Sequence, residues 1–170
     1  MPLAVNNTMS QQRFEQRRRQ FHQALQRLRE ALAMPYSEVV RDGVIQRFEF
    51  TFELLWKTLQ VYLHHLGYEA SSPRRVLRQA FEAGIIPSDT EGDGWMAMLD
   101  DRNLTLHTCD EALAEAIYQR IASQHIVLLE EAARRLQNIA WEEWLAMQLR
   151  ERDLKVLQDI FSRFPTIQRV

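Results

Sequence analysis

Apolar residues recur along most of this chain at steps of three, four or seven, the spacing that places them on one face of an α-helix. One such stripe runs from about Ser10 to Ala33, and a longer one runs from near Ser37 to Leu66. Both segments are therefore predicted to be amphipathic helices. The buried stripes are Phe14, Phe21, Leu25, Leu28 and Leu32 in the first, and Val40, Val44, Phe48, Phe52, Leu55, Leu59, Tyr62 and Leu66 in the second.

The middle of the second helix, residues 48–57, is apolar around most of its circumference. A helix of this kind is central in a bundle or lies at a subunit interface. Glu49, Glu53 and Lys57 follow one another at steps of four, so they form one ridge of this helix. The simplest interpretation of the ridge is an intrahelical ion-pair ladder worth a few tenths of a kcal/mol.

Three further helices are indicated. Ser72 and Pro73 open the third, which ends at Gly84, and the fourth begins near Asp93 or Gly94. The fifth runs from about Cys109 to Ala140, with an apolar stripe of Ala114, Ile117, Ile121, Leu128, Ala132, Leu136 and Ile139. We predict an all-α fold, an up-and-down bundle of four to five helices over residues 10–140. A flexible tail over residues 1–9 precedes it, and a C-terminal helical appendage over residues 141–170 follows.

Composition narrows the class of protein. With 46% hydrophobic and 26% charged residues the chain has a globular balance, and a net charge of -2 carries no overall nucleic-acid signature. The single cysteine, Cys109, excludes an internal disulfide and suits a reducing compartment. No apolar run is long enough for a membrane span, and the N-terminus lacks the regions of a signal peptide. We expect a cytoplasmic protein.

A run of arginines follows the polar side of the first helix, and its members are Arg13, Arg17, Arg18, Arg19, Arg27 and Arg29. Charge runs of this kind usually keep a helix face solvated. A solvated face is therefore the favoured interpretation, and a nucleic-acid surface is the alternative.

Candidate chemistry concentrates where the fourth helix ends. Arg102 and Asn103 precede His107, and five residues on one helix would separate Arg102 from His107 by about 140°. Thr108 and Glu111 form a capping box, which predicts a new helix and a corner in which Arg102 and His107 converge. Such a corner can hold a phosphate or an anionic nucleotide group at the helix N-terminus. His107 can also transfer protons near neutral pH, which permits metal-independent cleavage of RNA.

A purely structural corner is the alternative. Arg102 can bond free carbonyls at the helix end, or pair with Asp100 or Asp101. Cys109 has no evident base beyond His107, so it is interpreted as an incidental small residue. His125 falls near the buried stripe without a second ligand at metal spacing, which favours a hydrogen-bonded interior histidine. No metal and no cofactor are expected.

Three stretches together resemble the nucleotidyltransferase substrate-binding protein family. They are the aromatic block of residues 45–59, the run of residues 72–84 from Ser72-Pro73-Arg74 to Gly84, and Trp95 with residues 101–108. The family is similar to the helical domain of kanamycin nucleotidyltransferase and to the HEPN superfamily. The resemblance covers about residues 10–140 and implies a helical bundle that forms homodimers near the Arg…His motif. It also implies a separate minimal nucleotidyltransferase subunit as partner.

The resemblance also bears on the site. In HEPN toxins an Arg-x4-His motif is a ribonuclease site, and Arg102 and His107 match it. These toxins often carry a tyrosine two residues after the histidine, where the partner attaches adenylate, and this chain has Cys109 there. Regulation by tyrosine adenylylation is therefore not expected from the motif. The candidate residues for substrate or phosphate binding are Arg102, Asn103, His107, Lys57, Glu53 and Trp56.

The last thirty residues extend past the usual end of that family. Residues 141–170 carry an amphipathic pattern and then Phe164-Pro165-Thr166-Ile167, which is similar to the opening of a minimal nucleotidyltransferase domain. One hypothesis is the start of a truncated or formerly fused second domain, and the other is an extra helix packed on the bundle.

Three functions remain open at this point. The first is a substrate-binding or partner subunit of a two-component nucleotidyltransferase system, itself not a transferase. The second is a HEPN-type ribonuclease of a toxin-antitoxin pair, with His107 as general acid/base and Arg102 holding the scissile phosphate. The third is a structural oligomerisation module. The first two both predict binding of a nucleotide or RNA.

Overall fold

The computed structural model describes residues 2–105, 110–139 and 141. All regular elements in these ranges are helical, which confirms the predicted all-α bundle. They are α1 (Pro2–Leu32), α2 (Glu38–His65), α3 (Pro73–Glu82), α4 (Asp89–Leu104), α5 (Glu111–Arg120), a π-helical segment (Ile121–His125) and α6 (Ile126–Gln137). The chain divides into one unit of residues 1–137, which contains these elements, and a second of residues 138–170. No described helix is both long enough and apolar enough to cross a membrane.

Several helix ends lie where the sequence predicts them. The Ser37 side chain accepts a hydrogen bond of 3.2 Å from the Val40 N–H and caps α2. Gly67, just after α2, has a φ of 89°, the left-handed conformation that glycine adopts without a steric penalty. Pro73 opens α3, where its missing N–H costs nothing.

Three helix starts differ from the prediction. The first helix begins at Pro2 rather than near Ser10, with the proline at the first helical position, and the flexibility of the tail over residues 1–9 stays a prediction. The fourth helix begins at Asp89 rather than near Asp93, because Ser88 caps it. The fifth begins at Glu111, and its N-cap is Asp110, whose carboxylate accepts from the Leu113 N–H at 3.1 Å.

The second helix is central, as its apolar middle predicts. It packs against α1, α3, α4 and α5, and Phe48 and Phe52 are fully buried from its middle turns. Phe14 and Phe21 from α1 and Trp95 from α4 add further fully buried aromatic side chains to the core. Burying each of these side chains contributes roughly 1.5–3 kcal/mol. The end of α4 is thereby held against α2.

The π-helical segment changes which face of the last helices is buried. Ile117, Ile121, His125 and Leu129 are all buried and follow at steps of four. Each such step overshoots one α-helical turn by about 40°, and a π turn absorbs the accumulated excess. The prediction of Leu128 in the core is wrong for this reason, since Leu129 is fully buried and Leu128 only half-buried.

Candidate functional site

The last turn of α4 lies against the glutamate ridge of α2. We call the side chains that meet there the polar corner, and they are Glu49, Glu53, Trp56 and Lys57 from α2 and Arg102 and Thr105 from α4. A guanidinium nitrogen of Arg102 lies 3.7 Å from a carboxylate oxygen of Glu53. Both side chains remain about one third exposed, at 36% and 31%. The corner is therefore open to a ligand from solvent.

Glu53 is the hub of the polar corner. Lys57 Nζ lies 2.8 Å from one of its oxygens, and Trp56 Nε1 donates to the other at 2.9 Å. Burial raises the pKa of Glu53, but hydrogen bonds from Lys57 and Trp56 and the nearby charges of Lys57 and Arg102 outweigh it and hold that pKa below its ordinary value. Glu53 is thus ionised at neutral pH, and two cations share its single charge.

Thr105 connects the other end of the ridge to α4. It is the C-cap of α4, and its buried hydroxyl donates a hydrogen bond to the Glu49 carboxylate. This contact joins the two helices one turn beyond the Arg102–Glu53 pair. The ridge that the sequence suggested as an intrahelical ladder therefore also binds α4 at two points.

The structure brings together four of the six residues proposed to bind substrate, Arg102, Glu53, Trp56 and Lys57. The Asn103 side chain is exposed and forms no hydrogen bond with any residue in the described ranges. His107 lies outside the described residues, as does Cys109, so the convergence of His107 with Arg102 stays a prediction.

The predicted pairing of Arg102 with its own neighbours is wrong. Asp100 pairs instead with Arg74 at 3.0 Å, and Asp101 turns inward toward Arg120. Consecutive residues of a helix point in different directions, so Asp100, Asp101 and Arg102 each meet a different helix. Arg102 finds its carboxylate on α2.

Asp101, Arg120 and His125 form a buried network that the sequence analysis did not assemble. Arg120 donates to both Asp101 oxygens at 2.7 and 2.6 Å, and His125 Nε2 lies 2.6 Å from one of them. His125 is 1% exposed and stacks on Phe48, with 5.3 Å between ring centroids. The prediction of a hydrogen-bonded interior histidine is confirmed. Because Asp101 directly precedes Arg102, this network fixes the turn that carries Arg102.

The chemistry available at the polar corner is anion binding. Arg102 and Lys57 are two partly exposed cations that share Glu53, while the second carboxylate of the corner, Glu49, is bonded to Thr105. The Trp56 ring lies beside the Lys57 ammonium at 5.6 Å. Within the described ranges, no group of three or more His, Cys, Asp or Glu side chains is arranged to hold a metal ion. An arginine fork with partial exposure suits a phosphate or a carboxylate.

Residues 16–138 match the family described as nucleotidyltransferase substrate binding protein like. The chain belongs to this family. The match includes the whole aromatic block of α2 and the polar corner, and it confirms the resemblance found in the sequence. Members of the nucleotidyltransferase substrate-binding family thus share with this chain the helices that position Arg102 and Glu53.

The chain is also similar to one named relative and to one solved structure. A protein from Haemophilus influenzae named probable ribonuclease HepT is 34% identical over 84 residues, which is 46% of this chain. The chain spans only 56% of that relative's length in the match. A crystal structure of a protein from Thermus thermophilus is 42% identical, covers 69% of this chain and 99% of its own, and superposes with a TM-score of 0.65.

Proposed function

We propose that this chain is the substrate-binding or partner subunit of a two-component minimal nucleotidyltransferase system and is not itself a transferase. The observation that carries the proposal is the family match over residues 16–138. The polar corner supports it, because a partly exposed Arg102 beside Lys57 and Trp56 can receive an anionic nucleotide group. Electrostatic attraction and ring contact are the two interactions that a nucleoside phosphate needs.

The test is a reconstitution. The chain is purified and mixed with the minimal nucleotidyltransferase encoded nearest to it in the same genome, and binding is measured by calorimetry. We expect a stable complex, and we expect transfer of label from α-phosphate-labelled ATP only when the nucleotidyltransferase is present. Absence of binding, or transfer by this chain alone, would contradict the proposal.

Two substitutions in the polar corner should act in opposite directions on anion binding. Arg102→Gln removes a charged hydrogen bond worth about 1.5–3 kcal/mol, so ATP should bind about 10- to 150-fold more weakly. Glu53→Gln frees Arg102 from a partly exposed ion pair worth about 0.2–1 kcal/mol, so ATP should bind up to about fivefold more tightly. Calorimetric titration with ATP in the presence of EDTA measures both effects.

Glu130→Gln is the matched control for Glu53→Gln. Glu130 is a partly exposed carboxylate that pairs with Arg29 at 2.7 Å, so the variant changes the net charge by the same amount. ATP affinity should be unchanged in this variant. Equal tightening by Glu53→Gln and Glu130→Gln would assign the effect to overall charge and remove the polar corner from the binding site.

We also propose that the subunit forms a homodimer through α2 and the polar corner. The corner carries charges of both signs, so a two-fold axis through it can place Glu53 of one copy near a cation of the other. Leu104 adds an apolar side chain that is 39% exposed at the same helix end. Light scattering should give about twice the 20.1 kDa chain mass, and Leu104→Asp should give a monomer.

Val127→Asp is the control for the dimer. Val127 is 53% exposed on α6, so the same apolar-to-acidic change should leave the dimer intact there. A wild-type chain that is monomeric at micromolar concentration, or dimer loss in both variants, would count against this interface.

A metal-independent ribonuclease is the second candidate function. Its support is the similarity to the relative named probable ribonuclease HepT, together with the Arg102 and His107 spacing. Incubation of the purified chain with tRNA or total RNA in EDTA tests it. Cleavage would favour the ribonuclease, and absence of cleavage together with tight binding to the nucleotidyltransferase would favour the binding subunit. A chain that binds neither RNA, nucleotide nor such an enzyme would be a structural oligomerisation module.

A further inference from the structure

All the arginines of α1 except Arg19 divide into two sets by their surroundings. Arg18 lies 2.5 Å from the Glu15 carboxylate and donates to the Leu136 carbonyl oxygen of α6, while Arg29 lies 2.7 Å from Glu130. These two arginines have a clear structural role, because they join α1 to α6 or neutralise a carboxylate. They need no ligand to account for them, which agrees with the interpretation that this face of α1 has no binding function.

A second set faces α2 and lacks such partners. Arg13, Arg17 and Arg27 belong to one ridge of α1, since intervening steps of three and four residues through Gln20 and Ala24 connect them. Neither they nor Arg47 of α2 form an ion pair with any residue in the described part of the chain. Burial and the neighbouring charge of Arg13 lower the pKa of Arg17. Cations that lie on one ridge and form no ion pair among the described residues are complementary to an anionic ligand.

A groove between α1 and α2 is lined by Arg27 and Arg47. Its volume is about 590 Å³, and its lining contains no carboxylate. Arg17 and Arg13 continue the same ridge of α1 beyond the groove, and Arg13 lines a separate pocket together with Glu69. The side chains that matter for recognition are the cations Arg27 and Arg47, the amides of Gln20, Gln23 and Gln46, and the ring of Phe50. Phe50 is 61% exposed, which leaves its face available for stacking.

The length of the cationic row indicates the class of ligand. Arg13 and Arg27 are fourteen residues apart on one helix, which corresponds to about 21 Å along its axis. A single nucleotide is too short to meet both ends, whereas a strand carries a phosphate on every nucleotide. Guanidinium forks bind phosphate oxygens in pairs, amides bind base edges, and an exposed aromatic ring stacks on any base. An acidic peptide would use the arginines but leave Phe50 unexplained.

We propose that the α1–α2 groove binds single-stranded nucleic acid, with Arg27 and Arg47 contacting phosphates in the groove, Arg17 and Arg13 contacting phosphates further along α1, and Phe50 stacking on a base. This surface is distinct from the polar corner, whose residues do not line the groove. The proposal requires neither nucleotidyl transfer nor RNA cleavage, so it stands or fails independently of the proposed function.

The test is fluorescence anisotropy of the full chain with a labelled twelve-nucleotide oligouridylate in EDTA at increasing KCl concentration. The corresponding deoxy strand is measured in parallel, because it lacks the 2′-hydroxyl and separates binding from cleavage. Log affinity should fall with log salt by about 0.7 per phosphate contact, a slope of about -2.8 for four contacts. Binding of either strand with such a slope supports the proposal.

Two variants separate the contribution of the phosphate contacts from that of base stacking. The double variant Arg27→Gln/Arg47→Gln should reduce the slope to about -1.4, because two phosphate contacts are lost. Phe50→Ala should weaken binding about 5- to 150-fold with the slope unchanged, because stacking releases no counterions. Unfolding of the chain would change affinity and slope together, so the unchanged slope excludes it.

The control removes the same charge elsewhere. Arg74 and Arg134 are exposed, lie away from the groove lining, and pair with Asp100 and Glu131, so Arg74→Gln/Arg134→Gln should change neither slope nor affinity beyond about twofold. An equal loss in this control would overturn the proposal, as would wild-type chain that binds neither strand. Displacement of the strand by a twelve-residue polyglutamate at equal concentration would also overturn it and indicate an acidic protein partner.

Discussion

Replacing Asp101 with asparagine should lower the free energy of unfolding by about 3 kcal/mol. The substitution leaves Arg120 and the fully buried His125 without a charged partner, and Asn cannot accept the hydrogen bonds of both as a carboxylate does. Breaking a buried pair usually costs about 3–5 kcal/mol, and the 36% exposure of Arg120 places this case at the lower end. Thermal unfolding followed by circular dichroism should show a midpoint roughly 10 °C lower.

In Asp101→Asn the free energy of unfolding should fall less steeply with decreasing pH than it does in wild type. Burial raises the pKa of Asp101, but hydrogen bonds from His125 and Arg120 outweigh it, so the pKa in the folded state lies below the ordinary value of 3.8. The stabilisation from Asp101 is therefore fully present above about pH 5 and is lost as the pH falls through 3.8 toward the folded-state value. Urea unfolding at several pH values between about 2 and about 6 measures the difference between wild type and Asp101→Asn.

The neighbouring residue provides the control. Asp100 is 61% exposed and pairs only with the exposed Arg74, so Asp100→Asn should cost less than about 1 kcal/mol. Equal unfolding midpoints for Asp100→Asn and Asp101→Asn would show that the buried network contributes nothing and would remove the support it gives to Arg102.

Replacing His107 with alanine should reduce any metal-independent RNA cleavage by about 10²- to 10⁴-fold, the usual contribution of a general acid or base. The reason is that activation of a ribose 2′-hydroxyl needs a group that exchanges protons near neutral pH, and His107 follows Arg102 at the required spacing. Cleavage of a labelled RNA in EDTA at several pH values measures it. The rate of the wild-type chain should depend on pH, and the residual rate of the variant should not show the same dependence.

His64→Ala is the control, because His64 is an exposed histidine near the end of α2 and should leave cleavage unchanged. A strand with a 2′-O-methyl group at each position should resist the wild-type chain. If both histidine variants cleave like wild type, the activity belongs to a contaminant or to other residues, and the ribonuclease function is excluded for this corner.

The sequence alone predicts the helices and the central position of α2 because apolar spacing reports directly which face of a helix is buried. The sequence predicts the first residue of each helix less accurately. Ser88 and Asp110 cap α4 and α5 although Asp93 and Thr108 are also good capping residues, and Gly92 and Gly94 interrupt the periodicity of α4 without ending it. Capping energies of about 1 kcal/mol decide these boundaries, and several nearby residues compete for them.

The site shows a similar division. The candidate residues include Glu53, Trp56, Lys57 and Arg102, and these four lie together. The partner of Arg102 could not be read from the chain, because Asp100 and Asp101 are nearer in sequence than Glu53. The crossing of α2 and α4 decides which carboxylate the guanidinium meets, and that crossing depends on packing rather than on spacing.

The π-helical segment gives this part of the chain a tolerance to length as well as to substitution. Ala122, Ser123 and Gln124 are exposed, so almost any side chain is tolerated at these three positions. Deleting a single one of them would remove the extra residue that the wide turn accommodates. Ile117, Ile121, His125 and Leu129 would then be separated by steps of four, three and four, which place all of them on one face of a regular α-helix. The helix can therefore lose one residue at this turn and still bury the same side chains.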